Sequence, residues 1–128
     1  MMMERRAISI SEIQETVAAA FHVSRADLLS RNRRHHVAYA RHIAMYLTRE
    51  MGGRSGDEAA GNEARARASF PRIAIAFGRN HSSVIYACGA IERRRRLDLA
   101  FARLLDRIAG KLLGHPGDKS EIQSPENP

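Results

Sequence analysis

The chain has 128 residues, enough for one domain with a modest core and too few for two of ordinary size. Its 21 Lys and Arg against 14 Asp and Glu leave a formal charge of +7, which favours polyanionic partners, nucleic acid ahead of an anionic membrane surface. A single cysteine excludes an internal disulfide framework and a thiolate zinc cluster and fits a reducing cytoplasm, while the opening MMMERRAISISEIQ lacks a signal peptide's apolar run and no window reaches the roughly 18 to 20 apolar residues of a membrane span.

Helical patterns recur along the chain and strand patterns are almost absent. Ser9 and Glu12 form a capping pair ahead of Ile13, Val17 and Phe21, which predicts a first helix from about Ile10 to His22. Ser24 and Asp27 repeat the device before Leu28 and Leu29, and SRNRRHH cuts that second helix short. A third helix is predicted from about His36 to Met51, with Val37, Ala40, Ala44, Leu47 and Met51 on one face and Tyr39, His42, Thr48 and Arg49 largely off it.

GGRSGDEAAGNEARARA then breaks the pattern, and its length marks residues 52–68 as a loop insertion, with a helical turn expected near Glu63 to Arg67. Ser69 and Pro71 open the next helix, whose Ile73, Ala76 and Phe77 stop at Gly78. Beyond the short break GRNHSS, Val84, Ala87, Cys88 and Ile91 mark the buried side of another helix starting near Asn80. Leu97, Phe101, Leu104, Leu105, Ile108 and Leu112 continue the spacing, so the chain either bends near Arg96 or runs on into a last helix. The polar segment 114–128 is expected to be a disordered tail, which leaves 8–113 as the domain.

A helix, a short turn containing glycine and a second helix with a polar N-terminal face is the helix-turn-helix arrangement; an ordinary helical hairpin with Asn80 as N-cap fits the same pattern. Ser82, Ser83 and Tyr86 point away from the apolar side, and short polar side chains there let a backbone approach a DNA groove. A serine nucleophile would need a base and an orienting group that NHSS does not supply. GHPGDKS, the nearest string to a phosphate loop, follows no strand and has Asp118 before its lysine, so no nucleotide cofactor is expected. His35, His36 and His42 lack a thiolate or carboxylate set at ligand spacing, and no metal is expected.

The stretches ISEIQETVAAAFHVSRADLLSRNRRHHVAYARHIAMYL and FPRIAIAFGRNHSSVIYACGAIE resemble the C-terminal DNA-binding domain of the bacterial chromosomal replication initiator, DnaA, over about Ile10 to Ile108. FGRNHSSVIYAC is the most specific part, being similar to the family's Phe-Gly-Gly-Arg-Asp-His-Thr-Thr-Val-x-x-Ala-Cys. The resemblance implies an all-α fold, a compact domain of about six helices containing a helix-turn-helix and similar to the Trp repressor. It also implies non-enzymatic, sequence-specific binding of double-stranded DNA at a DnaA-box-like element, in regulation of replication initiation in the bacterial cytoplasm, at the nucleoid. By the same resemblance Asn80, His81, Ser82 and Ser83 face the major groove and Arg33 the minor groove, while Arg31, Arg41, Arg49, Pro71 and Arg79 lie along the DNA backbone.

Three departures from the family pattern accompany the likeness. The turn is one residue shorter, Asn80 stands where the family has Asp, and Gly89 and Ala90 replace basic residues after the cysteine. With only about ten residues ahead of the likeness, the family's upstream nucleotide-binding module is expected to be absent and the domain to stand alone. Three other readings share these residues. One is a phage- or plasmid-type repressor with a diverged site, and another is a protein-interaction module using Leu104, Ile108 and Leu112 with an incidental basic face. The third is a nuclease built on His81, for which no metal carboxylates are evident.

Overall fold

The computed structural model describes residues 8–52 and 68–113. They form six helices: α1 (Ile10–Ala20), α2 (Arg25–Leu29), α3 (His35–Met51), α4 (Phe70–Phe77), α5 (His81–Leu97) and α6 (Leu99–Leu112). Among the described residues the only extended pairing is an isolated parallel bridge between Ile8 and Gly52. The expected all-α fold of about six helices is the one observed. No described helix is long and apolar enough to cross a membrane.

Local chemistry sets most boundaries. The Ser9 hydroxyl oxygen accepts from the Glu12 N–H at 3.1 Å, and that of Ser24 from the Asp27 N–H at 2.9 Å, satisfying amides that a helix start leaves without partners. Ser69 does the same for Arg72 at 3.2 Å, with Pro71 in the first turn of α4. α1 stops at Ala20, two residues before the predicted end, because His22 turns into the left-handed region at φ 59°. The choice left open near Arg96 resolves as a bend at Asp98, whose carboxylate accepts from the Phe101 N–H at 3.0 Å and starts α6.

α3 is the central helix and packs against α1, α2, α4 and α5, while α6 closes over α1 and α5. The predicted stripe Val84, Ala87, Cys88 and Ile91 is buried, as are Ile13 and Val17 of α1. Full burial of each large aliphatic side chain contributes about 1.5–3 kcal/mol, so this contiguous core dominates the stability. The Tyr46 hydroxyl donates to Glu92 at 2.8 Å, tying α3 to α5, and burial first, then that bond, pushes its pKa up to about 12. Burial likewise pushes the Cys88 thiol up to about 11, which suits a packing residue rather than a nucleophile.

Several expectations are corrected. Ile108 and Leu112 are 2% and 1% exposed and Leu104 is half-buried against the core, so the surface assumed for a protein-interaction module is interior. Leu97, read as part of that apolar run, is 85% exposed because the bend at Asp98 turns it outward. Thr48, placed off the apolar face, is fully buried with its hydroxyl donating to the Ala44 carbonyl at 2.7 Å. Gly52 and Ala68 are buried parts of the domain rather than of the insertion, and a Cβ on Gly52 would collide with Ile13. The expected turn near Glu63 to Arg67 and the expected tail 114–128 lie outside the described residues.

Candidate nucleic-acid interface

The loop between α2 and α3 is built by short polar side chains. The Ser30 hydroxyl donates to the Asp27 carbonyl at 2.7 Å and accepts from the Asn32 N–H at 3.0 Å; the Asn32 side-chain oxygen accepts from the Arg34 N–H at 2.8 Å. These bonds hold a turn in which Arg31, Arg33 and Arg34 are exposed. Arg34 occupies the N-cap of α3 and makes no side-chain cap bond, since a guanidinium cannot accept. The start of α3 therefore presents backbone N–H groups beside three arginines, an arrangement that favours an anion.

Arg41 lies under this loop. Expected along a DNA backbone, it is instead 4% exposed and donates inward to four carbonyls. Its Nε reaches Leu28 O at 2.7 Å, and its Nη2 reaches Ser30 O at 3.0 Å, Asn32 O at 2.9 Å and Asp27 O at 3.3 Å. The physical reason is that α2 ends after one turn, so its terminal carbonyls need donors and the fork of Arg41 supplies them.

The break between α4 and α5 is a tight turn. Gly78 has φ 64° and ψ 36°, a left-handed conformation that would cost a residue with a Cβ about 1 kcal/mol. Arg79 follows, expected at the DNA backbone but half-buried, with Nη2 donating to Ser30 O at 2.7 Å and Nη1 to Phe77 O and Gly78 O at 3.4 Å each. Asn80 caps α5, its Oδ1 accepting from the Ser83 N–H at 2.9 Å. The hairpin reading and the helix-turn-helix reading thus meet in one residue.

Between loop, turn and α3 lies a cavity of about 720 Å³. It brings together Arg31, Arg33, Arg41, Arg79, Asn80 and Ser83, which were expected, and Ala38, His42 and Met45, which were not. The missed signal is the helical face 38, 41, 42, 45, at spacing three, four and seven from Ala38. Among the described residues no carboxylate lines the cavity. Burial lowers the pKa of Arg41 and then Arg79 does; burial lowers that of Arg79, followed by Arg31 and Arg33. Burial, then Arg41 and Arg79, lowers that of His42 below the ordinary 6.5, so its imidazole is mainly neutral at pH 7. Among the described residues the cluster is an excess of positive charge, four arginines with no carboxylate beside them.

The other expected residues gather around the start of α4. The Arg49 guanidinium sits 4.1 Å from the Phe70 ring centre and donates to Ala68 O at 2.9 Å, and the His81 ring lies 6.5 Å from the same ring. Pro71, Ser82 and His81 are exposed there. The Arg93–Arg96 run divides: Arg94 covers Phe101 at 4.4 Å and pairs with Asp98 at 3.7 Å, and Arg96 pairs with Glu92 at 3.2 Å, so these two serve the α5–α6 bend. Among the described residues no group of three or more His, Cys, Asp and Glu side chains could hold a metal ion.

Residues 10–61 match the family model described as the bacterial dnaA protein helix-turn-helix. The chain is 34% identical over 106 residues to the chromosomal replication initiator protein DnaA of Symbiobacterium thermophilum, a match covering 82% of this chain and 20% of that protein. With the same protein of Caldanaerobacter subterraneus subsp. tengcongensis it shares 31% identity over 110 residues, 86% of this chain and 22% of the relative. With that of Lactococcus lactis subsp. cremoris it shares 34% over 105 residues, 81% of this chain and 20% of the relative. The chain thus spans about one fifth of the length of the curated relatives it matches.

Proposed function

This chain is a DnaA C-terminal-domain-like protein with a helix-turn-helix, and on that premise we propose that it binds double-stranded DNA sequence-specifically, at a DnaA-box-like element, without catalysis. The observation that carries the proposal is the cavity where Arg31, Arg33, Arg41, Arg79 and His42 meet Asn80 and Ser83 at the start of α5, with no carboxylate among its described lining residues. A polyanion supplies the missing counter-charge. Residues 8–113 act as the binding unit in this reading.

Each group has a role set by its surroundings. Asn80, His81, Ser82 and Ser83 are exposed at the N-terminal turn of α5, where the helix dipole and short side chains suit a major groove. Arg33, exposed in the loop that also lines the cavity, takes the minor-groove role in this reading, where negative potential is strongest in narrow A·T-rich sequence. Arg31 and Arg34, with Arg49 and Pro71 near the start of α4, flank these as phosphate contacts. Arg41 and Arg79 act from inside by shaping the loop and the turn. A role in regulating replication initiation follows the names of the relatives; a repressor with a diverged site uses the same surface, and the replacement of Asp by Asn80 with a one-residue-shorter turn favours a site altered at that contact.

Titration of duplex DNA at increasing salt checks the proposal. The charges of Arg31, Arg34 and Arg49 at phosphates and of Arg33 in the minor groove together displace the counterions of about four phosphates, so the plot of log K against log salt is expected to slope at about −3 to −5. A slope near zero would remove DNA from the account.

A further inference from the structure

We propose that Arg79 is a positioning residue that fixes the distance between the Arg33 loop and the recognition helix α5, so that the protein measures the spacing between two parts of its DNA site. The inference rests on the DNA-binding reading above and concerns how the two reading elements are held in register.

The Ser30 carbonyl is the joint. It accepts from Arg79 Nη2 at 2.7 Å and from Arg41 Nη2 at 3.0 Å, using both lone pairs of a carbonyl oxygen. Arg41 anchors the loop to α3, whereas Arg79 belongs to the turn, two residues ahead of the first residue of α5. Arg79 is itself fixed at both ends. Its backbone N–H donates to Ala74 O at 3.0 Å, and its Nη1 lies 3.4 Å from the carbonyls of Phe77 and Gly78. The guanidinium therefore spans from the turn to the loop as a brace. Its Nη1 and Nη2 donate to carbonyls of the protein, which leaves it poorly disposed to be an ordinary phosphate contact.

The brace also holds like charges together. Arg79 is near Arg31, Arg33 and Arg41 with no carboxylate among the described residues that line the cavity, an arrangement of like charges that a phosphate chain relieves. Tolerating that repulsion is physically sensible where it sets geometry. Successive base pairs rise by about 3.4 Å and rotate by about one tenth of a turn, so a loop and a helix held at a fixed separation can engage only one spacing of minor-groove and major-groove contacts.

The test uses the full chain and duplexes carrying a DnaA-box-like site, with zero, one or two base pairs inserted between the A·T-rich flank and the core. The wild type is expected to lose at least about tenfold in affinity on a single insertion. R79A, and R79Q as a second variant that retains a donor without the reach, bind the uninserted duplex more weakly and lose less than about threefold on insertion, with an unchanged salt slope. The proposal is overturned if either folded variant keeps the wild-type insertion penalty, or if R79A weakens binding uniformly and its salt slope falls by about one, the signature of a phosphate contact. A wild type that binds no duplex in a salt-dependent way overturns the DNA reading itself. A wild type that binds but ignores the insertions overturns only the spacing proposal.

Discussion

Arg41→Ala is expected to destabilise the domain by about 3 kcal/mol, and to abolish specific DNA binding as a consequence. Arg41 is 4% exposed as a residue, and its guanidinium donates to the carbonyls of Asp27, Leu28, Ser30 and Asn32. A hydrogen bond from a charged donor contributes about 1.5–3 kcal/mol net, but the contributions do not simply add here. Water can replace the donor at the outer carbonyls, while Leu28 O, at 2.7 Å from Nε inside the core-facing turn, has little access to it. The aliphatic stem adds packing that alanine removes. The loss therefore approximates one strongly buried charged bond plus a cavity. Urea denaturation reads it directly: a midpoint within error of wild type, together with weakened DNA binding, would restore Arg41 to the phosphate-facing role implied by family resemblance.

Asn80→Asp is expected to change which base is preferred at its contact while leaving the fold intact. Asn80 uses Oδ1 to accept from the Ser83 N–H at 2.9 Å, so its amide group presents Nδ2 outward as a donor. A donor suits guanine O6 or N7, adenine N7, thymine O4 or a phosphate, and the two-point pairing with adenine expected from an unengaged asparagine is weakened because its acceptor serves the cap. Aspartate caps equally well and its charge is favourable at a helix start, so stability should hold or rise slightly. Its second oxygen can only accept, which selects a cytosine amino group by about 1–3 kcal/mol and repels phosphates elsewhere. Titrations against duplexes varied at each position of a DnaA-box-like site distinguish the two proteins. Identical base preferences throughout would mean that Asn80 serves the helix alone.

Much of this architecture was legible because it depends on neighbours a few residues apart. Ser9 with Glu12, Ser24 with Asp27 and Gly78 with Asn80 act within one helical turn, and the stripe from Val84 to Ile91 follows from the helical repeat. What escaped depends on groups far apart in sequence. Arg41 reads as a surface cation until the carbonyl end of α2 is placed against it, 9 to 14 residues earlier in the chain. Arg79 reads as a DNA contact until the Ser30 carbonyl, 49 residues away, accepts its hydrogen bond. His42 reads as an ordinary polar position on α3 until the turn of another helix closes the cavity around it. Thr48 is the exception, a local bond that apolar periodicity could not see: its hydroxyl donates to the Ala44 carbonyl one turn earlier, which lets a polar side chain enter the core.

Selection of the full chain against random duplex DNA, followed by sequencing, tests the central claim most directly. Specific reading by α5 and the Arg33 loop predicts enrichment of one motif, a core with an A·T-rich flank at a fixed spacing. Retention of duplexes by charge alone, with no motif enriched over the starting pool, would contradict the account and leave a basic helical domain that binds without reading.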